Sequence, residues 1–301
     1  MNQTWEHVLW LASEPRPAES ERLEACRLYC ERHLAAAGWS IERRPFSDMD
    51  STQRKLDGIN LVAKRPNVSA SVEAAAADRP VFVLGAHLDS RTETPGADDN
   101  ASAVAVLLET ARVLAEHLSA DDWQRAAVEL ELVVFDLEEH GMLGGAFHAQ
   151  GCRLAERNLC GMVSLEMLGY CSHEPGSQSM PEQLQGIYPD VGNFIGVVGN
   201  QNSSALLQHF GSAFESIANL PHESLQVPDN GLPVLPTRLS DHSPFWDAGY
   251  AALMITDTSF MRNPHYHLAS DTPDTLDSEF LCKVKDGVIL AMQRMLQTGL
   301  N

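Results

Sequence analysis

Cations are scarce in this chain. Its 21 lysines and arginines face 41 aspartates and glutamates, a formal net charge of −20 over 301 residues. Such a surface repels phosphates and argues against a nucleic-acid partner. It is compatible with a substrate carrying a free α-amine, although acidity more often serves solubility alone. No run of about eighteen apolar residues is present, so no membrane-spanning helix is expected. The opening Met1-Asn-Gln-Thr-Trp-Glu6 lacks the basic start and apolar core of a secretory signal, and a cytoplasmic location is the expectation. The six cysteines, at 26, 30, 152, 160, 171 and 282, form no Cys-x-x-Cys pair, which fits reduced thiols. Cys26 and Cys30, one helical turn apart, read as small buried apolar residues. His-Glu-x-x-His, Gly-x-Ser-x-Gly and a Walker loop are also missing, which removes the commoner hydrolase and phosphate-binding signatures.

What is present reads as an α/β protein. Ser20 to Ala37 has helical spacing (Leu23, Cys26, Cys30, Leu34) and stops at Gly38. Ile59–Ala63, Val81–Leu84, Val128–Phe135, Met162–Tyr170, Phe194–Val198 and Ala251–Ile255 read as strands. The stretch from about Ser102 to Leu118, Ser204 to Ile217 and Phe280 to Leu296 read as helices. Asn67 to Pro80, rich in Ala and Ser without an apolar period, reads as an exposed loop or hairpin tip. Cys171 to Asp190 is a loop long enough to be functional. Strands alternating with helices predict one domain over residues 1–301, a three-layer α/β/α fold around a mixed, mostly parallel sheet, with a helical start to residue 57 and a core at 58–298.

Metal-binding side chains recur where predicted strands end. Val81–Leu84 leads into Gly85-Ala-His87-Leu-Asp89-Ser90, and a short loop later comes Pro95-Gly-Ala-Asp98-Asp99-Asn100-Ala-Ser102. Val128–Phe135 runs into Asp136-Leu-Glu138-Glu139-His140-Gly141, Glu166 sits near the end of another apolar run, and His267 lies in Arg262-Asn-Pro-His265-Tyr-His267. In open α/β sheets that edge is where ligands bind. An imidazole among several carboxylates calls for a cation, and zinc suits nitrogen and oxygen ligands. Two adjacent carboxylates, Glu138 and Glu139, can divide labour: one binds metal while the other serves as general base.

Taken together, these segments, with Leu165-Glu166-Met167, Ser240-Asp241-His242 and Asp271-Thr272, resemble the co-catalytic zinc exopeptidase superfamily of bacterial leucyl aminopeptidases, glutamate carboxypeptidase and glutaminyl cyclases. The likeness covers roughly residues 58–298, in the family's order. It implies two zinc ions bridged by Asp99, one completed by Glu139 and His267, the other by His87 and Glu166. It implies Glu138 as general base, Asp89 as the orienter of His87, and a cis Asp99–Asn100 peptide. The function implied is an aminopeptidase that acts on a peptide or aminoacyl substrate. Glutaminyl-peptide cyclotransfer is the alternative, and a non-catalytic protein of the same shape comes third. The Asp98-Asp99-Asn100-Ala-Ser102 form and the lack of tryptophan after Glu139 favour the peptidase.

Two departures stand out. Glu166 occupies the position where the family commonly has aspartate; its extra methylene moves the carboxylate by about one bond length, so the ion shared with His87 is expected to be held more weakly or differently. Ala103 stands where a glycine is usual. Of the remaining residues, Asp98 reads as a loop carboxylate, Asp241 as a hydrogen-bonding support of the site wall, and His242 as either structural or supporting. His140 is expected to point away and His265 to be exposed. Met167, Met254, Phe260 and Tyr266 either line an apolar side-chain pocket or pack in the core.

Overall fold

The apolar runs that end in acidic residues become the central strands of a computed structural model, which describes residues 3–65 and 79–300. The expected loop from Asn67 lies, over 67–78, outside the described residues. The strands are β1 (Ser40–Met49), β2 (Lys55–Lys64), β3 (Val81–His87), β4 (Glu129–Phe135), β5 (Leu159–Glu166), β6 (Ile195–Asn200), β7 (His222–Val227) and β8 (Ala252–Thr256). They form one sheet in the order β1-β2-β4-β3-β5-β8-β6-β7. The central four, β4, β3, β5 and β8, are mutually parallel. Antiparallel pairings, β1–β2 and β2–β4 on one side and β8–β6 on the other, make the sheet mixed. The opening of the chain is therefore helical only in part, since β1 lies inside it.

The helices are α1 (Gln3–Leu11), α2 (Glu21–Ala36), α3 (Ala103–His117), α4 (Ala120–Arg125), α5 (Leu143–Leu154), α6 (Ser204–Glu215), α7 (His242–Asp247) and α8 (Ser278–Thr298). Alternation along β3 sorts them into layers. Phe82, Leu84 and Ala86 join a core with Leu11 of α1, Cys26 of α2, Leu107 of α3, Phe210 of α6 and Met292 of α8. Val81 and Val83 face the other way, with Val133, Phe135, Ala149 of α5 and Trp246 of α7. Both faces of the central strands are thus covered, as wholly apolar parallel strands require. Each large side chain buried here contributes about 1.5–3 kcal/mol. Caps fix the helix starts: Ser20 Oγ accepts from Leu23 N at 3.0 Å, and Asp277 Oδ1 accepts from Glu279 N and Phe280 N, both at 2.9 Å. None of the six cysteines is in a disulfide, and Cys26 and Cys30 are buried.

Candidate metal centre

Because β3, β4, β5 and β8 run the same way, their carboxyl ends share one sheet edge. β3 ends on His87 opposite Phe135, the last residue of β4. β5 ends on Glu166 opposite Thr256, the last residue of β8. After Phe135 the chain turns sharply through Leu137, which is buried with φ +58°, into the single 3-10 turn Glu138–His140. A left-handed leucine is uncommon and is the kind of strain found at functional turns. Asp89 holds that turn: its carboxylate accepts from Glu138 N at 3.1 Å and from Glu139 N at 3.2 Å.

Asp99 arrives from an irregular turn, Ala97–Ser102, and the Asp99–Asn100 peptide is cis. Three sets of bonds place it. Asp271 accepts from Asp98 N and Asp99 N at 2.9 and 3.1 Å. Asn100 donates to Leu165 O and accepts from Met167 N, which ties the turn to the end of β5. Arg16, fully buried, donates to the carbonyls of Leu88, Pro95 and Gly96 in the loop that joins His87 to Asp99, and to Leu11 at the end of α1. Gly96 has φ +64°, and a Cβ there would stand 2.2 Å from Asp99 O, so the turn leaves no room for a side chain.

The five expected ligands converge. His87 Nε2 lies 3.3 Å from Asp99 Oδ1 and 3.4 Å from Glu166 Oε1. His267 Nε2 lies 3.1 Å from Asp99 Oδ2 and 3.1 Å from Glu139 Oε2. They form two three-residue groups, His87–Asp99–Glu166 and Asp99–Glu139–His267, each with ligand atoms within 4.8 Å of one another, and Asp99 belongs to both. Glu138 is in neither, but its Oε2 reaches to 3.9 Å from His87 Nε2. Asp89 also approaches the far nitrogen of His87, with its carbonyl at 3.1 Å and Oδ1 at 3.6 Å from Nδ1.

The electrostatics call for added positive charge. Burial pushes Glu138 well above the usual carboxylate range, and burial also raises Glu139 and Glu166. Burial opposes the imidazolium of His87, yet Glu166 and Glu138 hold it well above the ordinary histidine value. His267, although burial works against its charge, is held at about 9 by Asp99 and Glu139. Glu139 Oε1 is buried without a hydrogen-bond partner, an arrangement costly for a carboxylate unless a cation meets it. Two imidazoles and three carboxylates with such an orphaned oxygen fit zinc.

The structure also sorts the other residues. Asp98 accepts from Gly169 N and from Asn263, as a loop carboxylate. His140 turns away, 3.8 Å from Asp50. His265 is half-buried rather than exposed and bonds to Ser270. His242 is structural: buried, with Nε2 2.9 Å from Thr237 O and its ring edge-on to Trp246. Asp241 is fully buried beside Gly145; burial lifts its carboxyl to about 8, and a hydrogen bond from the Gly145 backbone works against that rise. Met254, Phe260 and Tyr266 line the cleft over the centre, about 170 Å³ in volume, and the Tyr266 ring stacks on His267 at 3.7 Å. Met167 is in the core instead, fully buried.

Three further residues support the centre without a sequence signal that marks them. Ser240 donates to Glu166 Oε2 at 2.7 Å and also contacts Ser164 Oγ at 2.7 Å. It lies in Ser240-Asp241-His242, yet nothing local shows that its partner is 74 residues away. Arg91 Nε pairs with Glu139 Oε2 at 2.7 Å. Arg16 stands in Glu14-Pro-Arg16-Pro with no periodicity to mark it as buried.

A family model described as peptidase family M28 matches residues 67–292, about three quarters of the chain. The chain belongs to peptidase family M28. As an M28 member it is a hydrolase of the zinc metallopeptidase type. An uncharacterized protein of Escherichia coli K12, YfbL, is 33% identical over 311 residues, covering 95% of this chain and 91% of that protein. A probable zinc metalloprotease of Leptosphaeria maculans is 25% identical over 64% of this chain, which spans about half (46%) of that protein's length. Among solved structures, an aminopeptidase from Aneurinibacillus sp. strain AM-1 superimposes with a TM-score of 0.72 at 17% identity, covering 98% of this chain and 93% of that one. A glutaminyl cyclase of Porphyromonas gingivalis does so at 0.71 and 17%, covering 97% of each. At such identities the likeness is one of fold.

Proposed function

We propose that this M28 protein is a zinc aminopeptidase that removes an apolar amino-terminal residue. The observation that carries the reading is the division between neighbours: Glu139 belongs to a ligand group through His267 and Asp99, while Glu138 stands outside both groups and faces the same cleft. Zinc held by His87, Asp99 and Glu166 and by Asp99, Glu139 and His267 would supply Lewis acidity toward the scissile carbonyl and the attacking water. Glu138 takes one proton from that water as its oxygen bonds to the carbonyl carbon. It returns the proton to the nitrogen as the carbon–nitrogen bond breaks. Its raised proton affinity suits the first transfer and its position beside the cleft suits the second. Asp89 keeps the two glutamates in register through their backbone N–H groups.

The cleft also suits the substrate. An apolar pocket lined by Met180, Tyr188, Phe194, Val198 and Leu225 shares Met254, Thr256 and Thr258 with the cleft and suits an apolar side chain. Part of that lining comes from the long loop after β5.

A panel of aminoacyl-arylamides, dipeptides and an amino-terminal glutamine peptide, assayed with and without chelator, tests the reading. Chelator-sensitive release of a free amino-terminal residue is the expected result. Loss of ammonia from the glutamine peptide without release of free residues would replace it with cyclotransfer.

A further inference from the structure

Among the described residues that line the cleft, Arg91 is the one arginine or lysine. A chain of net charge −20 otherwise repels anionic ligands. The backbone beneath Arg91 is fixed on both sides: Ser90 N donates to Arg16 O at 3.1 Å, Ser90 Oγ donates to Thr94 O, and Thr94 N donates to Arg91 O at 3.1 Å. Ser90 and Thr94 are buried, yet the Arg91 side chain is 49% exposed. A residue that served only as counter-ion to Glu139 would gain from being enclosed; this one lines the cleft and leaves half its side chain open to solvent. Its contact with Glu139 runs through Nε, the edge of the guanidinium nearest its own stem. The outer fork of such a group is the part that binds carboxylates in pairs of hydrogen bonds.

The cleft is polarised accordingly. Thr256, which lines both the cleft and the apolar pocket, pairs in register with Glu166, so the apolar end lies on the Glu166 side. Arg91 marks the opposite end, on Glu139, with Asp99, which belongs to both ligand groups, between. A peptide whose first side chain fills the apolar end presents its next residue to Arg91. In a dipeptide the leaving nitrogen and its own carboxyl carbon are two bonds, about 2.5 Å, apart. A free carboxylate there falls beside the residue next to the general base.

Resting on the aminopeptidase reading above, we infer that Arg91 is a specificity-determining residue that takes a free α-carboxylate on the leaving side of the scissile bond, so that the preferred substrates are dipeptides with an apolar first residue.

The test compares one apolar dipeptide with its carboxyl-terminal amide. kcat and KM are measured on the zinc-loaded wild type, Arg91→Ala and Arg91→Lys. Binding of the same two ligands to zinc-loaded Glu138→Gln, with and without Arg91→Ala, is measured by calorimetry. The wild type should favour the free dipeptide by about 10- to 100-fold, as a charge-assisted pair implies. Arg91→Ala should collapse that ratio through KM, and Arg91→Lys should restore it in part. Equal treatment of both ligands by the wild type, or a ratio that survives in Arg91→Ala, overturns the inference while leaving a peptidase. A ratio unchanged while zinc content and both rates fall together would make Arg91 only a support of Glu139 and also overturns it. If neither ligand is cleaved, the peptidase reading fails and calorimetry judges Arg91 alone. Carboxylate-dependent binding abolished by Arg91→Ala upholds it, and equal binding of acid and amide overturns it.

Discussion

The two halves of the candidate metal centre are built differently. His87 and Glu166 are the last residues of adjacent parallel strands, and both are buried. Glu139 and His267 come from turns outside the sheet, the latter at φ +58° and with its side chain 26% exposed. Asp99 joins them. The sheet-borne half inherits the rigidity of the core, whereas the loop-borne half faces the cleft and Arg91. A site can thus be precise on one side and accessible on the other, and the aspartate between them must serve both.

Substituting that shared residue should have the largest effect. Asp99→Asn is expected to lower zinc content in both halves and to reduce turnover at least as much as any other single ligand change. A variant with one half still fully loaded and active would mean that the halves are independent. Glu138→Gln comes next, with zinc and fold retained and turnover reduced by about 100- to 10,000-fold, as general acid–base groups contribute. Paired metal analysis and kinetics check this, and zinc loss from Glu138→Gln with zinc retained in Glu139→Gln would reverse the two roles.

Chelator titration sharpens the comparison itself. The extra methylene of Glu166 by itself ranks the His87 half as the weaker. Ser240 changes that expectation, because its 2.7 Å bond holds Oε2 and leaves Oε1 directed at His87. Arg91 competes for Glu139 in the open half. We expect stepwise zinc loss, first from the Glu139–His267 half, and Ser240→Ala should bring the two steps together. A single step in the wild type would show that exposure and Arg91 make no difference.

The smallest predicted effect lies behind the site. Burial pulls His242 down to about 3, far below an exposed histidine. Its folded value lies below its unfolded one, so the unfolded chain binds more protons between about pH 6.5 and 3, and stability falls as pH drops through that window. The effect amounts to a few kcal/mol at most. His242→Gln should flatten the acid limb of the melting-temperature profile between pH 6.5 and 4, and an unchanged limb would contradict this.

How much of this was legible in the sequence depends on how local the signal is. His87, Glu138, Glu139 and Glu166 directly follow or end apolar runs, so the strand rule placed them on one sheet edge. Assigning Asp99 and His267 to particular groups needed the family resemblance, because their turns carry no period. β1 and β7 went unread for a different reason. In β1 only Phe46 is buried, and Pro45 interrupts the run, which an edge strand tolerates. His222–Val227 likewise buries only its last residue. Edge strands with one solvated face and little apolar content do not announce themselves. Arg16, Arg91 and Ser240 act through contacts across 48 to 80 residues of chain, which only the fold reveals.

Diffraction data from zinc-soaked crystals, collected on both sides of the zinc absorption edge, test the central claim most directly. The account predicts two anomalous peaks on either side of Asp99, one enclosed by His87 and Glu166 and the other by Glu139 and His267, with Glu138 bound to neither. A single peak, peaks that do not share Asp99, or Glu138 in place of Glu139 as a ligand would contradict it.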